Sequence, residues 1–331
     1  MSRNISLLLL LLAIIISTFV VLTGINSSNW NDKSSYGQYY FPGLNQKIND
    51  VNKIKLSQSD NVFEIVREDD IWLLKNKDDY PADNNKVKTN LFALSNAIKI
   101  EPKTERDSLL KKLHLEDPFE PGSKSYLMEL YNDDTIIASA VIGKRKPNLL
   151  KRGEFGVYLR ETDGYKSWLV SGNINASDGI KNWISTRLLE FIPDDISSMT
   201  VTRGNRTVLK FGRDPLDNNK FMMIDFLEGV ETRTSIGLRS VMRRFLKVDF
   251  RDMREAQRYT EDPDTVVEIL TVDGNFINIE LNNDLNSPGA WVSIVDTDHP
   301  EQMKNIGYEF YLDENYKEEF IIKLEDVLKI D

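Results

Sequence analysis

The tetrapeptide "LEDP" at Leu115–Pro118 recurs as "TEDP" at Thr260–Pro263, 145 residues further along the chain. The segments "DVNKIKL" from Asp50 and "DISSMTV" from Asp195 are also 145 residues apart, and their apolar positions coincide. Several landmarks that recur in one order and at one offset are typical of an internal duplication. The sequence therefore predicts that one structural unit occurs twice in this chain.

The segments around these landmarks indicate what each unit contains. "SYLMELYNDDTIIASAVIG" (125–143) corresponds to "VVEILTVDGNFINIEL" (266–281), and both read as strand, acidic turn and strand. Apolar residues at helical spacing precede these hairpins, at Leu91, Leu94 and Ile98 in one half and at Leu238, Val241 and Phe245 in the other. We predict an α+β fold of antiparallel β-hairpins with amphipathic helices, duplicated over residues 41–193 and 194–331. Each unit is predicted to close with an amphipathic helix, over 178–192 and 316–330.

The stretch "DDYPADNNKV" (78–87) combines three acids with a Tyr-Pro pair. Pro81 cannot donate to a strand ladder and disfavours helical angles at Tyr80. Asp83 stands where a helix N-cap is expected, just before the apolar positions of the first helix. We interpret the stretch as the start of a helix and not as a carboxylate site. The preceding segments "FEIVRED" and "DIWLLKN" predict a hairpin with an acidic turn at Glu68–Asp70.

The composition excludes several classes of function. The chain of 331 residues has no cysteine, so thiol nucleophiles, disulfides and Cys-ligated metals are absent. Its net charge is −10, with 42 basic and 52 acidic side chains, which argues against nucleic-acid binding. The sequence contains no phosphate loop, no dinucleotide fingerprint and no nucleophile elbow. We therefore expect no bound cofactor.

The N-terminus carries one long apolar run, Ile5–Gly24, which contains no charge. As a helix it would span about 30 Å, the hydrocarbon thickness of a bilayer. A cleaved signal peptide usually has a shorter apolar region, so residues 1–24 are predicted to be a membrane anchor, with signal cleavage as the alternative. Residues 25–40 are predicted to be a polar linker. The aromatic residues of this linker would rest at the membrane interface or dock on the body, and neither is favoured: Trp30, Tyr36, Tyr39 and Tyr40.

Catalytic side chains are few. His114 and His299 stand apart, without the spacing of a metal site. The adjacent carboxylates are expected at turns, where Asp is common for backbone reasons: Asp133–Asp134, Asp194–Asp195 and Asp262/Asp264. A hydrolase using such paired carboxylates is a less favoured hypothesis.

Two basic clusters contrast with the acidic average. The segment "GKRKPNLLKRG" (143–153) is predicted to be a loop between strands and carries Lys144, Arg145, Lys146, Lys151 and Arg152. A second cluster lies on or beyond the helix of the second half and includes Arg239, Arg243, Arg244, Lys247, Arg251, Arg254 and Arg258. The ordinary interpretation is a solvated face with local ion pairs to Asp249, Asp252 and Glu255. The alternative is contact with anionic lipid or an acidic partner, for which the first cluster is the better candidate because its basic residues have no acids among them.

Three segments, "YFPGLNQKINDVNKIKL" (40–56), "IWLLKNKDDYPADNNKV" (71–87) and "HLEDP" (114–118), resemble the bacterial family called domain of unknown function 4340. Members of that family resemble this chain in having a single N-terminal membrane span, which is followed by these motifs. The second half departs from the pattern, with "FMMIDFLEGVETRTS" (221–235) where Trp and Tyr-Pro-Ala-Asp would stand. The family offers no catalytic residues to carry over. The resemblance implies a single-pass protein of the bacterial inner membrane whose body faces the periplasm, as an accessory of an ATP-driven export system.

These observations lead to one functional hypothesis and one alternative. We expect a non-enzymatic, membrane-anchored accessory or scaffold subunit, with the permease and ATPase of an ABC-type envelope transporter as partners. The alternative is a periplasmic binding module for an envelope polymer or lipid. Such a module could use exposed Trp168, Trp183 or Trp291, although each of these residues is more often part of a core.

Overall fold

The computed structural model describes residues 35–329, except residues 150, 176, 178, 205, 260 and 285. The predicted anchor and most of the linker therefore lie outside the described residues. Within the described part of the chain, no helix is long and apolar enough to cross a membrane. The fold is α+β, with two antiparallel sheets and few helices, as the hairpin and helix patterns predict.

The chain divides into two compact units. The first comprises the described residues up to Leu73 and the range Ala82–Asn182, whereas the second comprises Leu74–Pro81 and Trp183–Asp331. The sequence pattern places the boundary at residues 193–194. A short segment from the first half, which includes Asp78–Pro81 of the quoted acidic stretch, thus belongs to the second unit.

The first sheet has nine strands in the order β4-β3-β2-β1-β6-β7-β8-β9-β5. Its strands are β1 (Lys53–Gln58), β2 (Asn61–Glu68), β3 (Ile71–Leu74), β4 (Tyr80–Pro81), β5 (Lys99–Pro102), β6 (Tyr126–Asn132), β7 (Thr135–Pro147), β8 (Phe155–Arg160) and β9 (Ser167–Ser171). The helices of this half are α1 (Leu44–Lys47), α2 (Asn84–Ser95) and α3 (Asp107–Leu110). Asp69 and Asp70 both have positive φ in the two-residue turn between β2 and β3, which is the turn geometry that hairpins favour.

The second sheet has eight strands in the order β12-β11-β10-β14-β15-β16-β17-β13. Its strands are β10 (Ile196–Arg203), β11 (Arg206–Asp214), β12 (Asp217–Met223), β13 (Asp252–Glu255), β14 (Thr265–Thr271), β15 (Phe276–Asn283), β16 (Ala290–Thr297) and β17 (Tyr308–Leu312). Its helices are α4 (Ser235–Phe245) and α5 (Glu314–Phe320). Apart from the two-residue strand β4, the two sheets have the same strand order, with β1 corresponding to β10 and β6 to β14.

Some strands bury only one face, and the two longer helices each bury an apolar face. In β14 every second residue is buried, beginning with Thr265 and ending with Thr271. Helix α2 buries Val87, Leu91 and Leu94, and α4 buries Leu238, Val241 and Phe245. Ile98 lies beyond the end of α2 and forms a β-bridge with Tyr39, so it is not on the helical face that its spacing predicts.

Asp83 is the N-cap of α2, as the sequence predicts. Its carboxylate accepts hydrogen bonds from the backbone N–H groups of Asn85 (2.8 Å) and Lys86 (3.2 Å). These N–H groups lack partners inside the helix, and the cap satisfies them. The interpretation of this carboxylate as the start of a helix is confirmed.

The prediction of a long closing helix in each unit is wrong. Residues 178–192 contain only the short 3-10 turn Ile180–Asn182 among the described residues. Beyond it the chain is extended, because Thr186 and Leu188 exchange backbone hydrogen bonds with Phe250 and Val248. Trp183 and Leu188 are buried on this extended backbone, so their apolar spacing reflects packing and not a helical face. In the second half, helix α5 ends at Phe320 and does not continue to residue 330.

The last residues of the predicted linker dock on the first unit. The backbone N–H of Tyr40 donates to the carbonyl of Ala97 (2.7 Å), and that of Gly37 donates to Lys99 (3.0 Å). The ring of Tyr36 meets Trp168 edge to face at 6.2 Å, and Tyr40 is 8% exposed. Of the two alternatives for the linker aromatics, docking on the body therefore holds for Tyr36 and Tyr40.

Candidate binding surfaces

The first basic cluster lies at the end of the β7–β8 hairpin. We call residues 144–152 the basic hairpin. Lys144, Arg145 and Lys146 belong to strand β7 and not to a loop, because Arg145 pairs with Val157 and Lys146 with Gly156 of β8. The turn itself begins at Asn148, whose side chain accepts a hydrogen bond from the N–H of Gly153 (3.2 Å).

The basic side chains of this hairpin have few partners. The guanidinium of Arg145 lies 5.0 Å from the ring centroid of Phe155 and donates to the side chain of Asn173. The ammonium of Lys144 lies 5.9 Å from the ring of Tyr158. None of the five basic side chains forms an ion pair with another described residue, and Lys151 and Arg152 are exposed. Their positive charge is therefore open to an external partner.

The second basic cluster is largely neutralised. Arg244 pairs with Asp326 at 2.9 Å, and Arg251 pairs with Asp313 at 2.7 Å. Arg239 pairs with Asp194, and Arg254 pairs with the fully buried Glu309. Ion pairing is therefore confirmed for these four arginines, but their partners are distant in sequence and are not the expected Asp249, Asp252 and Glu255.

A groove of about 870 Å³ opens on the first unit beside the "LEDP" motif. It lies over β6, β7 and β8 and is bounded by the β8–β9 turn. Five carboxylates line it, from Asp107, Asp117, Glu120, Glu129 and Asp163, against the one guanidinium of Arg160. We call it the acidic groove.

The acids of the groove differ in how they are held. Glu129 is 3.6 Å from the ammonium of Lys55, and Asp117 accepts a hydrogen bond from the N–H of Phe119 (2.9 Å). No described residue forms an ion pair with Asp107, Glu120 or Asp163. These three carboxylates can accept cations or hydrogen-bond donors from a ligand.

Arg160 is held rigidly in the lining of this groove. It is 7% exposed, and its Nε donates to the carbonyl of Leu115 at 2.9 Å, while Nη1 donates to the carbonyls of Glu161 (3.1 Å) and Gly164 (2.6 Å). Burial lowers the pKa of the Arg160 guanidinium, an effect that the neighbouring Asp117 opposes. Within the described part of the chain, Nη2 has no hydrogen-bond partner, so this nitrogen is left for a ligand.

Aromatic side chains border the acidic groove. Phe119 is 56% exposed and Tyr165 is 55% exposed, both more than large aromatic residues usually are. Exposed rings beside carboxylates suit ligands that stack, such as sugars, and cationic side chains. This arrangement is a candidate binding surface, in which three of the carboxylates form no ion pair with a described residue.

A smaller groove of about 310 Å³ occupies the corresponding place in the second unit. It lies beside the recurring "TEDP" motif, over β15 and β16, and is lined by Glu261, Pro263 and Glu280 among others. The tetrapeptide landmarks thus mark one groove in each unit. In the sequence, the two tetrapeptides indicate only a duplication. The grooves could not be predicted from them, because a four-residue motif does not show which strand faces surround it.

The "LEDP" motif itself shapes the backbone beside the groove. Glu116 is 8% exposed, and its Oε1 accepts a hydrogen bond from the N–H of Lys124 (2.9 Å). The hydroxyl of Ser125 donates to the carbonyl of Glu116 at 2.8 Å. These bonds fix the connection between α3 and β6, which places Asp117 at the groove.

The paired carboxylates proposed for a hydrolase lie at separate turns, and one member of each pair accepts a hydrogen bond there. Asp133 accepts from the side chain of Asn52 (2.6 Å), Asp195 from the N–H of Ile192 (2.9 Å), and Asp264 from the N–H of Asn283 (2.7 Å). His299 packs against Phe191, with 5.0 Å between ring centroids. Among the described residues, no group of three His, Asp or Glu side chains could hold a metal ion.

The tryptophans considered for a binding module are mostly internal. Trp168 is 5% exposed and Trp183 is 1% exposed, so both belong to the core. Trp291 is half-buried, with the guanidinium of Arg254 3.7 Å from its ring centroid and Tyr311 5.2 Å away. None of the three presents a free aromatic surface.

The acidic stretch before α2 has a second role, in the second unit. The carboxylate of Asp78 accepts from the N–H of Glu255 (2.9 Å), and the carbonyl of Asp78 accepts from the hydroxyl of Tyr308 (2.9 Å). Tyr80 is 4% exposed, donates its hydroxyl to the side chain of Asn305 (2.8 Å), and meets the ring of Tyr308 edge to face at 5.0 Å. These contacts could not be predicted from the sequence, since they join residues far apart in the chain.

No curated protein matches this chain. Residues 72–234 match the model of a family described as "Domain of unknown function (DUF4340)". The match begins in β3 and ends just before α4, and it contains the "DDYPAD" and "LEDP" motifs but not "FPGL" at 41–44. The family resemblance read from these motifs is confirmed for residues 72–234, which match the family Domain of unknown function (DUF4340).

Proposed function

We propose that this protein is a non-enzymatic accessory or scaffold subunit of an ABC-type envelope transporter, anchored in the bacterial inner membrane with its body in the periplasm. Residues 5–24 are the anchor in this proposal, and the permease and ATPase are the partners. The protein acts by holding components together and not by transforming a substrate. The duplication of one α+β unit would supply two related surfaces for such assembly.

The observation that carries this proposal is the basic hairpin. Its five basic side chains have no ion-pair partner among the described residues, although the chain as a whole has a net charge of −10. Unpaired cations grouped at one protruding hairpin favour contact with an acidic surface, and clustered charge of this kind steers association. The acidic surface would be a protein partner or anionic lipid headgroups.

The test is capture of the tagged full-length protein from membranes in mild detergent, followed by mass spectrometry. Lys151→Glu/Arg152→Glu reverses two exposed charges of the basic hairpin. Lys88→Glu/Arg258→Glu reverses one exposed lysine and one exposed arginine elsewhere and is the matched control. We expect the wild type and the control to capture a permease and an ATPase in constant ratio, and the hairpin variant to lose them. Equal capture by all three proteins, or no transporter subunit with any of them, would reject the proposal.

A second candidate function rests on a different observation, the acidic groove with the exposed rings of Phe119 and Tyr165. Such a groove suits a polymer of sugars, whose hydroxyl groups bind carboxylates and whose apolar faces stack on aromatic rings. For a periplasmic binding module we expect a polymer from the cell envelope to raise the melting temperature of the protein. Phe119→Ala/Tyr165→Ala should abolish that shift, and no shift across a panel of envelope polymers would end this alternative.

A further inference from the structure

We propose that the acidic groove of one copy of this protein receives the basic hairpin of a second copy. This inference rests on the proposed function, because it names a partner for the same hairpin. It also assigns an occupant to a groove that the accessory role leaves unexplained.

The two surfaces are complementary in charge. The hairpin presents Lys144, Arg145, Lys146, Lys151 and Arg152, and the groove presents five carboxylates against one guanidinium. Asp107, Glu120 and Asp163 of the groove and all five basic side chains of the hairpin lack ion-pair partners among the described residues. Docking would therefore form new ion pairs without breaking existing ones, which is the arrangement that favours specific association.

The groove also offers contacts that suit a hairpin in ways other than charge. The exposed rings of Phe119 and Tyr165 can receive lysine or arginine side chains by cation–π interaction. Nη2 of Arg160, which has no hydrogen-bond partner in the described part of the chain, can donate to a backbone carbonyl of the incoming turn. The volume of about 870 Å³ falls within the range of grooves that enclose a few side chains.

Geometry within one chain points to a second copy. Ile136, Ser139 and Val141 of β7 line the groove, and the hairpin begins three residues later on the same strand, at Lys144. No basic side chain of the hairpin forms an ion pair with a described carboxylate of the groove in its own chain. A hairpin of one copy in the groove of the next joins two different surfaces, so the association is head to tail.

Zero-length crosslinking tests this inference directly. The full-length protein is prepared in mild detergent with natural nitrogen and with nitrogen-15, and the two preparations are mixed before a carbodiimide joins lysine amines to nearby carboxylates. We expect crosslinked peptides of mixed isotope that connect Lys146 or Lys151 with Asp117, Glu120 or Asp163. Lys151→Glu/Arg152→Glu should reduce the yield of the crosslinks from Lys146 by about tenfold, the change that corresponds to 1.4 kcal/mol. The control Lys88→Glu/Arg258→Glu should leave the yield unchanged.

A charge exchange separates specific docking from a folding defect. Glu120→Lys/Asp163→Lys reverses two groove carboxylates and should also abolish the mixed crosslinks to Asp117, which the variant retains. Mixing the hairpin variant with the groove variant should restore association, measured by light scattering, because the reversed hairpin now meets a reversed groove. Crosslinks confined to one isotope, or variants whose mixture stays dissociated, would overturn the inference. If transporter capture still depended on the hairpin, the proposed function would survive that result.

Discussion

Asp83 shows how one side chain can begin a helix. Its carboxylate accepts from two backbone N–H groups at the first turn of α2. We expect Asp83→Ala to lower the free energy of unfolding of the full-length protein by about 1 kcal/mol, the usual cost of losing a cap. Asp83→Asn keeps an acceptor in place and should cost much less. Urea denaturation of the three proteins measures both differences, and equal losses for Ala and Asn would show that the cap does not act as described.

The contribution of Asp313 to the stability of the fold depends on pH. Burial raises its pKa, but the hydrogen bonds from Arg251 and from the N–H of Tyr316 outweigh burial and hold the pKa below the ordinary value. A carboxylate with a lowered pKa in the folded state contributes stability above its unfolded pKa of about 3.9, and that contribution is lost as the pH falls through the folded pKa.

We therefore expect Asp313→Asn to cost about 0.2–1 kcal/mol at pH 7, as for other partly exposed ion pairs, and almost nothing at pH 2. Asparagine can still accept the cap hydrogen bond of α5, so the difference isolates the charge. Denaturant unfolding at the two pH values gives the comparison. A cost that is the same at both would mean that the ion pair with Arg251 contributes nothing.

Single residues also mark the limit of prediction from sequence. The role of Asp83 was predictable because a cap depends on its own position and the next three residues. The role of Arg160 was not, since its hydrogen bonds reach the carbonyl of Leu115, far away in the chain. The unpaired carboxylates of the acidic groove could not be predicted for the same reason, because they come from segments far apart in the chain.

At the scale of elements, the segment Leu74–Pro81 is the least expected feature. It connects β3 and α2 in sequence, yet it groups with the second unit. Tyr80 is its anchor there, with a buried hydroxyl bonded to Asn305 and a ring against Tyr308 and Phe310. Burial raises the pKa of Tyr80 well above its ordinary value, so the hydroxyl stays protonated as a donor.

We expect Tyr80→Phe to destabilise the protein by about 1–3 kcal/mol, because the side-chain oxygen of Asn305 would lose a buried donor. Tyr308→Phe removes an exposed hydrogen bond to the carbonyl of Asp78 and is the matched control, with a smaller expected loss. Thermal unfolding of both variants, followed by circular dichroism, gives the two values. Losses of equal size would argue against a buried role for the Tyr80 hydroxyl.

Strands and helices differ in how well the sequence predicts them here. The hairpins of 125–143 and 266–281 were predictable because alternation of apolar and polar residues indicates a half-buried β-strand. The segment 178–192 was predicted as a helix, yet its described residues are mostly irregular beyond the 3-10 turn Ile180–Asn182. Its apolar residues Trp183, Leu188 and Leu189 are buried by irregular packing. Their spacing in the sequence resembles that of a helical face, although they do not lie on a helix.

For the whole molecule, the repeat pattern predicted two similar units, and the partition of the chain between them could not be predicted. The matching strand orders agree with the offset of 145 residues between landmarks. The segment Leu74–Pro81 groups with the second unit through contacts between residues that are distant in sequence. A repeat pattern cannot show such contacts. The distribution of charge is also judged for the whole molecule. The positive charge of the basic hairpin is unusual because the chain has a net charge of −10.

The most direct test of the account asks on which side of the membrane the body lies. The chain has no cysteine, so a single introduced thiol can be labelled without background. Leu216 is 96% exposed in the turn between β11 and β12, and Leu216→Cys should leave the fold intact. Ser2→Cys places the thiol on the other side of the predicted anchor.

The measurement is labelling of bacterial spheroplasts with a membrane-impermeant maleimide, before and after lysis. We expect Leu216→Cys to react in intact spheroplasts and Ser2→Cys to react only after lysis. If Leu216→Cys reacted only after lysis, the body would lie inside the cell, and the proposed role as an extracytoplasmic transporter accessory would be contradicted.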